Sequence, residues 1–155
     1  MKDNVVVPFK PFTLGEVVSI TGIPFGSLDE MVRSGLLPLR KADADDTTGL
    51  DITACFAAFC AAAWQREGAD AGKLIRLIEF INERGYDFLM QCVSDGFSMP
   101  SFELGVMVGT PRSRLGWALN FHKLNGDFRA ALDRVFPAKT SVYVGPAADA
   151  TETKN

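Results

Sequence analysis

The residues of this chain that could contact an anion lie close together, between residues 27 and 41. Ser27 offers a hydroxyl that either bonds a phosphate or caps a helix, and Arg33, Arg40 and Lys41 follow it with positive charges. Duplex-DNA readers gain much of their affinity by neutralising phosphates with arginine and lysine. These four residues are therefore the candidate DNA-binding set.

Carboxylates occupy the same stretch and predict a different use. Asp29 and Glu30 lie between Ser27 and Arg33, and Asp51 follows an acidic run over residues 43–46. Carboxylates in these places repel a phosphate backbone. The alternative hypothesis is therefore an acidic surface of Asp29, Glu30 and Asp51 that binds a protein partner, for example as an adaptor or an anti-regulator.

The other residues with catalytic or metal-binding potential form no motif. Cys55 and Cys60 are five residues apart, so on a helix they face different directions and do not resemble a C-x-x-C metal pair. We expect them to fill the core. A third cysteine, Cys92, and a single histidine, His122, leave too few ligands for a zinc site. The sequence predicts no enzyme, no metal site and no cofactor.

The elements that must position the charged residues are two short helices, each with its own start signal. Thr13-x-x-Glu16 and Ser27-x-x-Glu30 both have the capping-box spacing, in which a hydroxyl and a carboxylate bond backbone N–H groups of the first turn. Between them, residues 21–24 (Thr-Gly-Ile-Pro) predict a tight turn, because glycine suits a left-handed position and proline disfavours helix before it. The pattern predicts a helix-turn-helix.

The same stretch resembles the opening segment of the MerR family of transcriptional regulators. The matching positions are Thr13, Gly15-Glu16-Val17, Thr21-Gly22, Leu28 and Gly35-Leu36-Leu37. The resemblance begins at residue 12 and continues more loosely to residue 81, through a wing-like loop and two further helices. It implies a homodimer that binds double-stranded DNA with the helix of residues 27–34 in the major groove. Family members usually carry arginines where this chain has Asp29 and Asp51.

Two longer helices are predicted in the rest of the first half. In each helix, apolar residues recur at the spacing of a core-facing helical stripe. The first predicted helix ends at Gly68 and the second ends at Gly85. The first stripe is made of Phe56, Phe59, Cys60, Ala63 and Trp64. The second stripe is made of Leu74, Ile75, Leu77, Ile78 and Ile81.

The second half carries a different pattern. Its β-prone runs, over 88–93, 102–108 and 117–122, predict short strands, although a helix over 112–124 is nearly as compatible with the last run. Asn125-Gly126 predicts a turn into a helix over 127–136. A last strand is predicted over 141–144.

These elements predict an α+β fold in three parts. Residues 1–85 form a MerR-like winged helix-turn-helix domain of four helices. Residues 86–146 form a small β-rich, mixed α/β module for dimerisation or for ligand or partner binding. Residues 147–155 form a disordered tail.

Bulk properties narrow the class of protein. The chain has 155 residues, is 47% hydrophobic and carries a net charge of −3, values that are ordinary for a soluble globular protein. An acidic balance gives no global positive field, so DNA contact requires a local basic patch. We find no signal peptide and no apolar run long enough to cross a membrane, and we predict a cytoplasmic protein with no membrane contact.

Overall fold

The computed structural model describes residues 9–94, 99–101, 106–109 and 118–137, and these ranges are mostly helical. They contain six helices and five short strands. The general α+β class predicted from the sequence is confirmed. The strand predicted over 141–144 and the predicted tail lie outside the described residues.

Helix α1 spans Leu14–Thr21 and begins with the predicted capping box. The Glu16 backbone N–H donates to Thr13 Oγ1 over 3.1 Å, and the Thr13 N–H donates to Glu16 Oε1 over 2.9 Å. The helix ends at Gly22, whose φ of 78° lies in the left-handed region that glycine adopts without steric cost. The start and the stop of this helix are as predicted.

Helix α2 spans Phe25–Arg33 and begins two residues earlier than predicted. The predicted capping box of Ser27 and Glu30 is wrong, because Pro24 occupies the N-cap position and provides no side-chain cap. The Leu28 N–H donates to the Pro24 carbonyl over 3.0 Å, so the first helical hydrogen bond already spans Ser27. Ser27 therefore lies within the first turn of the helix, where its hydroxyl cannot act as the N-cap.

The polar stretch predicted as a loop or wing tip forms an antiparallel hairpin. Strand β1, Arg40–Lys41, pairs with strand β2, Thr48–Gly49. Beside the hairpin, Phe12 pairs with Leu50 through two N–H···O bonds of 2.9 Å. The backbones approach so closely here that a Cβ on Gly49 would collide with the Phe12 carbonyl oxygen. Glycine is therefore required at this position.

The two longer helices of the first half are confirmed as α3, Ile52–Arg66, and α4, Ala71–Arg84. Four side chains of the predicted stripes are not fully inside: Ala63, Trp64 and Leu74 are half-buried, and Ile75 is 44% exposed. At 100° per residue, Ile75 lies about 120° around the helix from the buried Ile81. It therefore falls outside the stripe that α4 turns to the core.

Residues 88–93, predicted as a strand, belong to helix α5, Tyr86–Ser94, so that prediction is wrong. The side chains that α5 buries or packs against the core recur at the i, i+3, i+4 and i+7 spacing of a helix. They are Tyr86, Leu89, Met90 and Val93. Burial of this stripe outweighs the strand preference of the phenylalanine and valine residues, because strand preference depends strongly on context.

Three short strands form a second sheet, in the order β3-β4-β5. Strand β3, Met99–Ser101, is antiparallel to β4, Val106–Gly109, and β4 is parallel to β5, Ala118–Asn120. The strands predicted over 102–108 and 117–122 are confirmed at 106–108 and 118–120, while residues 102–105 and 117 lie outside the described residues. Residues 121 and 122 are wrongly included, since they begin the next helix.

Helix α6 spans Phe121–Val135 and passes through the position where Asn125-Gly126 was predicted to turn the chain. Gly126 faces solvent, where a helical glycine costs only about 1 kcal/mol relative to alanine. The longer helix also places Phe121 in the core, where its ring centroid lies 6.1 Å from that of Phe56. The apolar area that this adds outweighs the turn preference of Asn-Gly.

One continuous core joins elements from both sides of residue 85. Phe56 of α3 is fully buried, and its ring centroid lies 5.2 Å from that of Tyr86 in α5 and 5.1 Å from that of Phe128 in α6. Both ring pairs have the edge-on geometry that aromatic quadrupoles favour. The helices on either side of residue 85 thus share apolar contacts, while the division into domains at that residue stays a prediction.

Candidate interaction surface

The outer face of α2 presents an aromatic ring beside charged side chains. Leu28 is fully buried and anchors the inner face. Phe25, Asp29 and Arg33 follow one another at four-residue intervals, so they form a single row along the helix. Phe25 is 56% exposed, the highest value among the large apolar side chains of the described residues. A large apolar side chain thus stands at one end of a charged row.

The Arg33 guanidinium is neutralised by its own helix. Arg33 Nε lies 2.9 Å from Asp29 Oδ2, and the two side chains are 79% and 31% exposed. Exposed pairs at this spacing contribute only about 0.3–0.5 kcal/mol, so the pair opens easily. The opposite charge nevertheless stays one helical turn away. The first candidate DNA-binding arginine and the first candidate acidic residue are therefore one ion pair.

Arg40 is held more firmly. Its Nη1 atom lies 3.2 Å from Asp51 Oδ2, and its guanidinium carbon lies 5.1 Å from the centre of the Phe9 ring. The Asp51 side chain is only 14% exposed, and its Oδ1 atom accepts the Ala54 N–H over 2.9 Å as the N-cap of α3. Asp51 therefore has two structural tasks. They account for an aspartate at this position without any reference to DNA.

The hairpin loop adds further carboxylates. Lys41 Nζ lies 3.2 Å from Asp46 Oδ1, and the Asp46 side chain is 97% exposed. Asp43 Oδ2 accepts the Phe9 N–H over 2.8 Å, which fixes the loop to the N-terminal arm. Hydrogen bonds from the Thr47 side chain and N–H lower the pKa of the Asp45 carboxyl, which keeps its negative charge.

The sum of these charges is negative. Residues 25–51 carry three basic and six acidic side chains, a net charge of −3. All three basic side chains of the segment are engaged with aspartates of the same segment. The basic residues are Arg33, Arg40 and Lys41, and the acidic ones are Asp29, Glu30, Asp43, Asp45, Asp46 and Asp51.

The sequence identifies the charges of this surface but neither the exposed Phe25 nor the buried Phe9 ring that contacts Arg40. Ser27 and Glu30 are both exposed on α2, as a surface role requires. Phe25 falls between the predicted turn of residues 21–24 and the predicted helix, because the capping-box spacing places the helix start at Ser27. Phe9 lies far from Arg40 in sequence, so no local pattern indicates their contact. A helix start placed directly after Pro24 puts Phe25 one turn before Asp29, and Pro24 is the signal for it.

The cysteines and the histidine do not form a reactive cluster. Cys55 and Cys60 are buried in α3, and burial raises the pKa of both thiols, so both stay protonated and unreactive. His122 is exposed on α6 and Cys92 is half-buried on α5. Among the described residues, no group of three or more histidine, cysteine, aspartate or glutamate side chains could hold a metal ion.

Comparisons with known proteins identify no relative of this chain. No family model matches the chain, and neither the curated proteins nor the solved structures contain a match. The resemblance to the MerR family and the homodimer therefore stay predictions. Within the described ranges, none of the helices is both long enough and apolar enough to span a membrane.

Proposed function

We propose that the outer face of α2 and the β1–β2 hairpin bind a basic protein partner, so that the chain acts as an adaptor or as an antagonist of a regulator. The observation that supports this most directly is the pairing of Arg33, Arg40 and Lys41 with aspartates of the same segment. These basic side chains are the ones that a DNA reader would use on this face.

Electrostatics favours a basic partner over a phosphate backbone. A phosphate that approached Arg33 would also approach Asp29, whose carboxylate lies 2.9 Å from the guanidinium. Each unpaired carboxylate would repel the phosphates at a range comparable to the Debye length, about 10 Å at 0.1 M salt. A partner with lysines and arginines meets the reverse situation, because the excess negative charge attracts it.

Phe25 gives such a partner an apolar contact. Protein interfaces commonly place an aromatic anchor at the centre of a patch with a polar rim. Phe25 is more than half exposed, and Asp29 and Glu30 lie one turn further along the same helix. Duplex DNA offers a phenylalanine at this position little to contact except a thymine methyl group.

Duplex-DNA binding is the second candidate function. It is favoured by the order of the elements, in which three residues separate α1 from α2 and a hairpin follows. This order is that of a winged helix-turn-helix, as in the MerR-like interpretation of the sequence. In this case Ser27, Arg33, Arg40 and Lys41 contact phosphates, and the chain binds as a homodimer.

Fluorescence anisotropy with a labelled mixed-sequence duplex separates the two candidates. We expect no salt-sensitive binding by the wild-type chain at low ionic strength, and a gain of binding in the Asp29→Arg variant. If the wild type binds, Arg33→Ala with Arg40→Ala should weaken binding and reduce the slope of log K against log salt concentration by about 0.9 per lost phosphate contact. Salt-sensitive wild-type binding that follows this pattern would establish the DNA candidate instead.

Site-specific cross-linking in the native cells tests the protein-binding proposal. Benzoylphenylalanine in place of Gly26 points outward from α2, where an added Cβ meets no atom within 4 Å. The same substitution of Gly126, equally open on α6, is the matched control. We expect one discrete protein to be captured from position 26 and not from position 126, and the capture to be lost in Glu30→Lys. Equal capture from both positions would contradict the proposal.

A further inference from the structure

The chain holds two of its own arginines with the same pair of groups. Arg40 lies over the Phe9 ring at 5.1 Å and pairs with Asp51 at 3.2 Å. Arg84 lies over the Phe80 ring at 4.4 Å and pairs with Glu83 at 3.4 Å. In both cases the guanidinium carbon lies over a phenylalanine ring while a guanidinium nitrogen pairs with a carboxylate.

The outer face of α2 presents a third pair of this kind. Phe25 and Asp29 are four residues apart on a helix, so their Cβ atoms are about 5–6 Å apart. Both side chains reach solvent, and the Phe25 ring is more than half exposed. A guanidinium that arrives from outside could therefore contact the ring and the carboxylate at once.

Arg33 does not fill this position. It bonds Asp29 from the C-terminal side, through Nε and Oδ2. Phe25 lies on the N-terminal side, two turns from Arg33, which is about 12 Å along the helix axis. The Arg33 side chain is 79% exposed, and no other residue in the described part of the chain pairs with Asp29. The Asp29 side chain, which is 31% exposed, can therefore still accept a hydrogen bond from a partner.

We propose that Phe25 and Asp29 bind an arginine side chain of the partner protein. This inference rests on the proposed protein-binding function and specifies the chemistry of the contact. Arginine is favoured over lysine, because a planar guanidinium stacks on a ring and bonds a carboxylate simultaneously, whereas an ammonium is a compact, strongly hydrated charge. Arg33 competes with the incoming arginine for Asp29 and weakens its binding.

Two synthetic peptides of equal charge provide the probe: acetyl-(Arg-Gly)₄-amide and acetyl-(Lys-Gly)₄-amide. Each is titrated into the ¹⁵N-labelled full chain, and the amide signals of Phe25 and Asp29 are followed by NMR. We expect the arginine peptide to bind roughly two- to fivefold more tightly, the difference that an exposed cation–π contact supplies. The preference should disappear in Phe25→Leu, which keeps an apolar side chain without the ring.

Charge variants complete the test. Asp29→Asn should abolish the shifts at Phe25, and Arg33→Gln should strengthen arginine-peptide binding by removing the internal competitor. Asp127→Asn, in the exposed i,i+4 pair with Lys123 on α6, is the matched control and should change neither. Spectra of each variant confirm that the fold is kept.

Two results would overturn the inference. One is equal affinity for both peptides, and the other is a preference for arginine that survives in Phe25→Leu. If cross-linking from position 26 still captures a partner in either case, the protein-binding function stands and only the arginine contact fails. If the peptides behave as expected while position 26 captures nothing, the arginine site stands and the proposed function fails.

Discussion

Phe56 in α3 and Phe25 in α2 mark two regions in which an aromatic side chain has opposite surroundings. Phe56 is fully buried, with the rings of Tyr86 and Phe128 packed edge-on against it. Phe25 is 56% exposed and has charged residues as its neighbours along the helix. The same residue type thus builds the core in one place and forms part of the surface in the other.

This difference shows which residues the fold requires. The buried cluster joins α3, α5 and α6, so a change there affects the stability of the whole described core. On α2, Leu28 alone supplies the fully buried anchor, and the outer residues Asp29 and Arg33 form one largely exposed ion pair. Variants of the outer face should therefore alter binding without altering the fold.

The largest effect is expected for Phe56→Ala. Removal of a fully buried phenylalanine leaves a cavity and costs about 3–5 kcal/mol in the free energy of unfolding. Phe88→Ala, at an exposed position of α5, is the control and should stay within about 0.5 kcal/mol of the wild type. Urea denaturation followed by circular dichroism measures both. Similar losses in the two variants would mean that Phe56 is not the centre of the core.

Asp51 connects the two regions, because it caps the core helix α3 and pairs with the surface residue Arg40. Asp51→Ala removes the N-cap of α3 and the partner of Arg40, and should cost about 1–2 kcal/mol in the free energy of unfolding. Asp51→Asn keeps a capping oxygen and removes only the charge, so it should cost less than about 1 kcal/mol. Asp70→Ala, at the more exposed N-cap of α4, is the comparison for a cap without an arginine partner.

An Asp51→Asn variant as unstable as Asp51→Ala would contradict this division. The ion pair with Arg40, rather than the cap, would then be the main contribution of Asp51. In that case Arg40→Ala should show a loss of similar size.

Tyr86 links stability in the core to pH. Burial raises the pKa of its phenol above the ordinary value of about 10, and Arg129 opposes this only in part. Above pH 10 the unfolded chain therefore loses this proton before the folded chain does. The contribution of Tyr86 to stability is complete below pH 10 and is lost as the pH rises further.

The Tyr86→Phe variant should lack the decrease in stability above pH 10 that ionisation of the Tyr86 phenol causes. It also loses the 2.7 Å hydrogen bond from the Tyr86 hydroxyl to Asn125 Oδ1, worth about 1 kcal/mol near neutral pH. Cys55 and Cys60, whose raised thiol pKa values act in the same direction, remain in both proteins. Denaturation curves at pH 7 to 11 should therefore converge as the pH rises. Parallel curves would show that Tyr86 titrates normally.

Local signals in the sequence predict α1, α3 and α4 well, although they place the start of α2 two residues too late. The Thr13–Glu16 box, Gly22 and Gly85 act within one turn of the chain, so their meaning does not depend on distant residues. The predictions for residues 86–94 and 121–135 are wrong in part, because β-prone residues and an Asn-Gly pair are overridden by burial against α3. Only the assembled core shows that Phe121 and Phe128 belong to one face of one helix.

The local contacts of the candidate surface are predictable from the sequence, whereas its long-range contacts are not. The four-residue spacing of Asp29 and Arg33 is enough by itself to indicate an ion pair on a helix. The contact of Arg40 with Asp51 depends on the register of the hairpin, and its contact with Phe9 depends on the path of the arm. No spacing rule supplies either one. The charges and the local pair of Asp29 with Arg33 are thus recognisable from the sequence, but the pairing of Arg40 with Asp51 is not.

The smallest effect on stability is expected for Asp29→Asn. The exposed pair with Arg33 should be worth only about 0.3–0.5 kcal/mol in the free energy of unfolding. Asp127→Asn breaks the corresponding pair with Lys123 on α6 and should cost about the same, since exposed i,i+4 pairs are similar in strength. The two variants therefore match in stability and differ only in which face of the molecule has lost a carboxylate.

The effect of these two variants on cross-linking shows whether the partner binds the face of α2 or responds to charge elsewhere. Cross-linking from position 26 should fail in Asp29→Asn and persist in Asp127→Asn, because only the former removes a charge that the partner meets. Equal capture in the two variants would show that the carboxylate of α2 is ordinary surface charge. Loss in both would indicate a response to net charge alone. A selective loss in Asp29→Asn, at a cost in stability too small to unfold the chain, would make the outer face of α2 a binding surface that is independent of the core.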